Sequence, residues 1–128
     1  MAQVRYIVRD VGQAVKFYLD YLDFQLVQQF GPAMAIVERD GLTLWLAGPQ
    51  ASASRPMPDG AKPAPGGWLR FVLTVDDLDA VVGRLRAGGV GFRNEIITGP
   101  GGRQILCEDP SGNPIELFEP ANPPPGQS

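Results

Sequence analysis

Apolar and polar positions along the first third of the chain predict a strand, a helix and three further strands. "VRYIVRDV" (residues 4–11) is a short run of branched and aromatic side chains typical of a strand. "GQAVKFYLDYL" follows, and its apolar side chains recur at helical spacing on one face: Ala14, Val15, Tyr18 and Leu22. Asp10 is placed to accept hydrogen bonds from the free N–H groups at the start of that helix. "FQLVQQF", "AMAIVER" and "LTLWLAG" then predict three strands, and Asp40-Gly41 predicts a hairpin turn between the last two.

The second half of the chain repeats this order. "LRFVLTVDDL" (residues 69–78) predicts a strand and a helix cap, and "LDAVVGRLRAGG" predicts a helix that stops at Gly88-Gly89. "GVGFRNEIIT" predicts a strand with an early glycine, while "GRQILCEDP" and "NPIELFEP" predict two strands around the turn "PSGN". Placing residues 8–11 over 75–78 superposes the two strand–helix starts, which indicates an internal repeat. We therefore predict an α+β fold of two βαβββ modules; the alternative is two unrelated strand–helix units.

These elements predict one domain over residues 1–128. Module one covers residues 3–48, a linker covers 49–67, module two covers 68–120, and a flexible tail covers 121–128. The linker is rich in Pro, Gly, Ala and Ser, which form neither a strand ladder nor a long helix. It is either a plain connection or a segment that folds over a pocket and contacts a ligand.

Composition narrows the classes of function. The 128 residues carry a net charge of -3, and a nucleic-acid-binding surface needs the opposite sign. No apolar run is long enough to span a bilayer, and "MAQVRYIVRD" lacks the apolar centre of a signal peptide. Cys107 is the single cysteine, so no intrachain disulfide forms, and we expect a buried, inert thiol in a cytoplasmic protein.

The chain contains no histidine at all. Protein sites for zinc, nickel, copper or non-haem iron usually include at least one imidazole, with thiolate clusters as the main alternative. One cysteine does not make a cluster. A histidine acting as general base near neutral pH is excluded as well.

Several motifs resemble a known family. Phe17-Tyr18 in the first helix, "VDDL" before the second and above all "EDPSGNPIELFEP" are similar to the vicinal oxygen chelate superfamily. That group includes glyoxalase I, extradiol dioxygenases and bleomycin-resistance proteins, and the resemblance covers about residues 3 to 120. It implies that the two modules form a glyoxalase/bleomycin-resistance type half-barrel cleft, and that the protein pairs as a homodimer.

The resemblance also implies four positions for metal ligands. They fall on Gln3, Trp45, Arg70 and Glu116. Only Glu116 is a competent ligand, because an amide is a poor donor, an indole has no free lone pair and a guanidinium is a permanent cation. If Arg70 and Glu116 approach each other, they form a charge-assisted pair. We therefore expect no metal and no cofactor in this cleft.

An apolar, aromatic pocket with a few polar groups is the expected replacement for a metal site. The predicted ligand-binding residues are Tyr6, Trp45, Trp68, Arg70, Phe92, Arg103, Gln104 and Glu116. Tyr6 fits the core equally well, and Trp68 fits an anchor for the linker equally well. Trp45 is favoured for the pocket and Phe92 for the core. Arg103 and Gln104 fit a solvated hairpin as well as a pocket.

The favoured function is therefore a binding protein without catalytic residues, which sequesters an aromatic natural product or antibiotic in a self-resistance role. The alternative is a metal-independent isomerase, cyclase or lyase in which Glu116 acts as base and Arg70 stabilises an enolate. A nearby Arg70 opposes that role, because it favours the ionised, weakly basic form of the carboxylate. A metal-dependent glyoxalase or dioxygenase is less favoured still.

Overall fold

A computed structural model describes residues 2–121. The chain forms two compact units, Met1–Gly66 with Pro110–Asn113 and Gly67–Asp109 with Pro114–Ser128. We call them the N-terminal unit and the C-terminal unit. The boundary at Gly66 falls at the end of the predicted linker.

The N-terminal unit contains one four-stranded sheet and one helix. Its elements are β1 (Val4–Ile7), α1 (Val11–Leu22), β2 (Gln25–Phe30), β3 (Met34–Arg39) and β4 (Leu42–Ala47). The strand order is β1-β4-β3-β2, with β1 parallel to β4 and the other pairs antiparallel. This is a complete βαβββ module.

Helix α1 begins and ends where its flanking aspartates allow. Oδ1 of Asp10 accepts a hydrogen bond from the backbone N–H of Gln13 at 2.8 Å, as the sequence predicts for the cap. Asp23 ends the helix in the left-handed conformation, with φ of 57°. Tyr18 is fully buried, with its ring edge-on to Phe17 and Phe24. This aromatic cluster forms much of the contact between the helix and its sheet.

The predicted hairpin between β3 and β4 is confirmed. Arg39 pairs with Leu42, which leaves a two-residue loop of Asp40 and Gly41. Both loop residues have positive φ, 50° and 83°. Two-residue hairpins of this kind need that conformation because it matches the twist of the strands, and Asp-Gly adopts it at low cost.

The C-terminal unit repeats the same topology. Its elements are β5 (Val72–Thr74), α2 (Leu78–Ala87), β6 (Ile97–Gly99), β7 (Gly102–Glu108) and β8 (Pro114–Pro120). The strand order is β5-β8-β7-β6, with β5 parallel to β8 and the other pairs antiparallel. Asp77 caps α2 through a 3.1 Å hydrogen bond from the N–H of Ala80. The prediction of an α+β fold with two βαβββ modules is confirmed.

The predicted strand "GVGFRNEIIT" is wrong as a continuous element. Phe92 makes a single bridge with Cys107, and β6 begins only at Ile97. The ladder stops because the Asn94 side chain, rather than a strand backbone, accepts the hydrogen bond from the N–H of Leu106, at 2.9 Å. A side chain that replaces a backbone partner releases its own segment from the sheet.

The linker contains one 3₁₀ turn at Ser52–Ser54 and is tied to the N-terminal unit by side chains. Ser54 donates a 2.7 Å hydrogen bond to the carbonyl of Gly48. Asn113 accepts from the N–H of Gly66 at 2.8 Å and donates to the carbonyl of Ile7 at 2.8 Å. Of the tail predicted to be flexible, residues 122–128 lie outside the described residues. Neither helix in the described part of the chain is long and apolar enough to cross a bilayer.

Candidate functional site

The strand register determines which side chains share each of the two faces of a sheet. In the N-terminal sheet one face is fully buried and carries Ala35, Val37, Leu44 and Leu46. The other face carries Trp45, which pairs with Arg5 on one side and Ile36 on the other. We call this second surface the Trp45 face. In the C-terminal sheet the corresponding surface carries Leu106, Glu116 and Val72 side by side, and we call it the Glu116 face.

Trp45 presents an indole with a cation against it. The guanidinium carbon of Arg5 lies 5.0 Å from the ring centroid, within the range of a cation–π contact. Trp45 is half-buried rather than enclosed in the core. The structure therefore places this residue where a flat molecule could stack on it.

Tyr6 lies on the opposite face of the same sheet. It pairs with Leu46, and only 6% of its surface is exposed. This position favours the core alternative for Tyr6, so we leave it out of the candidate site.

On the Glu116 face, the predicted partner of Glu116 is in contact with it. Nε and Nη2 of Arg70 donate to the same oxygen, Oε1, at 3.0 and 2.8 Å. Pairing of β8 with the segment before β5 brings them together, since the N–H of Glu116 bonds the carbonyl of Phe71 at 3.1 Å. Glu116 is 9% exposed. A carboxylate at this depth is stable only with such charge-assisted bonds.

The side chains at the four positions that the resemblance implies for metal ligands do not suit a divalent metal. Gln3 and Trp45 in the N-terminal unit and Arg70 in the C-terminal unit supply an amide, an indole and a guanidinium. The remaining position, Glu116, holds a cation already. Within residues 2–121, no three His, Cys, Asp or Glu side chains come together in a group able to bind a metal ion.

A second ion pair on the Glu116 face was missed by the sequence reasoning. Nε of Arg93 lies 2.8 Å from Oε2 of Glu108, two residues along β7 from Leu106. The guanidinium carbon of Arg93 also lies 4.7 Å from the ring centroid of Trp68, which is 70% exposed. The signal was available: if Phe92 faces the core, the next residue faces away from it.

Gln104 lies on the Glu116 face as well. It pairs with Phe118 on β8 and with Ile97 on β6. These three residues and the Gly99–Gly102 loop line a shallow cavity of about 240 Å³. The structure therefore keeps Gln104 among the candidates.

Phe92 lies on the other side of the sheet. It bridges to Cys107, which is fully buried, and the guanidinium carbon of Arg86 on α2 lies 5.1 Å from its ring centroid. The core alternative is therefore favoured for Phe92.

Arg103 belongs to an ion cluster at the start of α2. It pairs with Asp79 at 2.8 Å and with Glu119 at 3.2 Å, and Glu119 accepts the N–H of Leu78 at 2.8 Å. The hydrogen bond from Arg103 lowers the pKa of Asp79, and hydrogen bonds from the Leu78 backbone and from Arg103 lower the pKa of Glu119. Asp79 and Glu119 in turn raise the pKa of the guanidinium. This cluster fastens the helix to β8, so the structure assigns Arg103 to the helix start rather than to the Glu116 face.

Cys107 lies in the core of the C-terminal sheet. Burial raises the pKa of its thiol to about 12. A thiol that stays protonated at neutral pH is a poor nucleophile, and this position agrees with the expectation of an inert residue.

A family model matches most of the chain. The model is that of the Glyoxalase/Bleomycin resistance protein/Dioxygenase superfamily, and it matches residues 1–117. No curated protein sequence is significantly similar.

Solved structures of the same architecture carry different activities in their names. TnmS3, an antibiotic binding protein from Streptomyces sp. CB03234, is 30% identical, with 94% of this chain and 98% of that chain covered and a TM-score of 0.66. A lactoylglutathione lyase from Agrobacterium tumefaciens is 22% identical, with 93% and 92% covered and a TM-score of 0.71. The fosfomycin resistance protein FosX from Listeria monocytogenes is 16% identical, with 93% and 91% covered and a TM-score of 0.71. The last two show the fold alone.

Proposed function

We propose that this chain, which belongs to the Glyoxalase/Bleomycin resistance protein/Dioxygenase superfamily, binds and sequesters an aromatic natural product or antibiotic. It does so without a metal ion or other cofactor and without transforming the ligand. The observation that carries this proposal is the Arg70–Glu116 ion pair, which occupies the one competent metal-ligand position.

The ion pair argues against both kinds of catalysis. A metal at this position would have to share Glu116 with Arg70, whose Nε and Nη2 both donate to Oε1, and the ion would lie beside a permanent cation. For acid–base catalysis, a substrate proton would have to reach a carboxylate that already accepts two hydrogen bonds from Arg70 on one of its oxygens.

The aromatic surfaces support recognition of a flat ligand. The Trp45 face offers an indole beside Arg5, and the Glu116 face offers Trp68 beside Arg93. Stacking between a planar ring and an indole or a guanidinium plane needs no chemistry from the protein, only shape and exposed area. Arg70 and Gln104 then supply donors for ligand oxygen atoms.

The similarity to TnmS3 supports the same class of function, since that protein binds an antibiotic. In this role affinity alone protects the cell, so no catalytic constellation is needed. We further propose that the protein is a homodimer, and that it is cytoplasmic, since its single cysteine is buried and forms no disulfide. Light scattering after gel filtration tests the dimer.

Calorimetric titration with a panel of planar polycyclic compounds tests the proposal, followed by mass spectrometry of the recovered compound. We expect saturable binding of at least one compound and its recovery unchanged. Recovery of an isomerised or cleaved product would instead establish the metal-independent enzyme. Absence of binding across planar compounds of varied size and charge would contradict the sequestration proposal.

A further inference from the structure

The linker forms a second cavity of about 400 Å³ entirely within the N-terminal unit. It lies where β1 ends, between that strand end and the linker. Its volume falls in the range of small-molecule sites in proteins. Trp45, Arg70 and Glu116 are not among its lining residues, so it is separate from the candidate site above.

The walls of this cavity are rigid and largely apolar. Four prolines line it: Pro49, Pro56, Pro63 and Pro65. A proline has a fixed φ and no N–H, so it presents apolar ring surface without a donor that needs a partner. The linker is also held at its ends by the Ser54 and Asn113 hydrogen bonds, and at its tip by a 2.7 Å bond from the N–H of Met57 to the carbonyl of Ala61. The fixed φ angles and these hydrogen bonds reduce the ordering that binding would require.

Among the described residues, two cations and no carboxylate line the cavity. The charged lining residues are Arg9 and Lys62. Within residues 2–121, neither side chain forms a salt bridge, whereas Lys16, Arg39, Arg70, Arg86, Arg93 and Arg103 all do. Two unpaired cations on one cavity are notable in a chain whose net charge is -3. Both residues are exposed, and each positive charge attracts an anion.

We propose that this cavity binds a small organic anion, with a carboxylate between Arg9 and Lys62 and a flat apolar body against the prolines. A purely inorganic anion would use the two charges but leave the apolar walls unused. A neutral compound would use the walls but leave the charges without a partner. A compound of the size of a substituted benzoate satisfies both.

Titration of the full-length protein with benzoate, followed by amide NMR, tests this proposal. We expect saturable shifts at Ser54, Lys62 and Ala64, and about tenfold weaker binding in Lys62→Ala, because a charge-assisted contact is lost. Arg55→Ala is the matched control, since Arg55 is an exposed linker cation that does not line the cavity. Its affinity should stay within about twofold of the unmodified protein.

Inorganic phosphate and benzamide separate the two parts of the proposal. Each should bind much more weakly than benzoate, because each matches only one feature of the cavity. Phosphate binding as tightly as benzoate would overturn the role of the proline walls. Equal loss of affinity in Lys62→Ala and Arg55→Ala, or no saturable shift with benzoate, would overturn the site. Neither result bears on the Trp45 and Glu116 faces, which use other residues.

Discussion

The two modules share a topology but differ in what they place at one equivalent position. Arg5 and Val72 both lie five residues before a helix-capping aspartate, and each pairs with the last strand of its module. Their partners are Trp45 and Glu116, so these two residues are structural equivalents. Trp45 has an arginine over its ring, whereas Glu116 has an arginine bonded to its carboxylate.

This difference shows which face of a module sets the fold and which is free to change. The buried faces are alike, with Val37, Leu44 and Leu46 in one sheet and Cys107, Ile115 and Leu117 at the matching positions in the other. The other faces differ in charge and shape. Burial of one face is enough to specify a strand register, since a slip of one residue would expose the core. The opposite face can then acquire an indole or an ion pair without loss of the fold.

Loss of Arg70 in the C-terminal module should lower the free energy of unfolding much more than loss of Arg5 in the N-terminal module. Arg70→Ala leaves Glu116 buried without its cation, and we expect a loss of about 2–4 kcal/mol. Arg5→Ala removes only a cation–π contact, worth about 0.5–1 kcal/mol. Urea denaturation measures both.

The double variant Arg70→Met/Glu116→Gln is the control for the cost of leaving Glu116 buried without a cation. It removes the charge of both partners, and it should recover most of the stability lost in Arg70→Ala. Equal losses for Arg70→Ala and Arg5→Ala would show that the two arginines play the same role, contrary to our account.

Trp45→Ala should weaken binding of a planar ligand by about tenfold, because stacking and burial at one aromatic contribute about 1–2 kcal/mol. Calorimetry is the suitable measurement, since it does not depend on the fluorophore that is removed. Tyr21→Ala, at a half-buried position on α1, is the matched control for loss of an aromatic ring. An unchanged dissociation constant in Trp45→Ala would remove the Trp45 face from the site.

Acid should destabilise the ion cluster at the start of α2. The pKa values of Asp79 and Glu119 are lowered in the folded protein by Arg103 and the Leu78 backbone. Their contribution is therefore fully present above about pH 5, where the unfolded chain is also ionised, and it is lost as the pH falls through the folded pKa values.

The double variant Asp79→Asn/Glu119→Gln should show a shallower loss of stability with acid, measured by urea denaturation at a series of pH values. A pH dependence as steep as that of the unmodified protein would mean that other carboxyls control the acid transition.

Cys107→Val should be the mildest change, because it introduces the residue that the N-terminal module already has at the matching position, Val37. We expect less than about 1.5 kcal/mol of effect at pH 7. The pKa of the folded thiol is raised to about 12, so the unfolded chain ionises first and stability falls above about pH 9. Cys107→Val should lack that alkaline loss; an unchanged alkaline loss would place it elsewhere.

Much of the fold could be predicted because its signals are local. Asp10 and Asp77 as caps, the Asp40-Gly41 hairpin and the order of the strands follow from short patterns, and the structure has them. The break between Phe92 and β6 could not be predicted, because it depends on the Asn94 side chain bonding a strand that lies next to it only after folding.

The candidate site was harder to predict, because it depends on which face each side chain takes. The register of β1 places Tyr6 on the buried face of the sheet and Trp45 on the other face. A shift of one residue would have moved Tyr6 to the same face as Trp45. The alternation after Phe92 indicates that Arg93 faces away from the core, but its partner Glu108 comes from a separate segment and no local pattern identifies it. The Arg70–Glu116 contact was accessible only through the resemblance to the family, which aligns the two positions.

We propose that the Arg70–Glu116 ion pair excludes a metal ion. Elemental analysis of protein purified without chelator, repeated after incubation with zinc, nickel, manganese or ferrous iron and desalting, tests it directly. We predict far less than one ion per chain in every case, in the unmodified protein and in Glu116→Gln alike. One tightly held ion per chain in the unmodified protein, lost in Glu116→Gln, would show that Glu116 is a metal ligand despite its ion pair with Arg70.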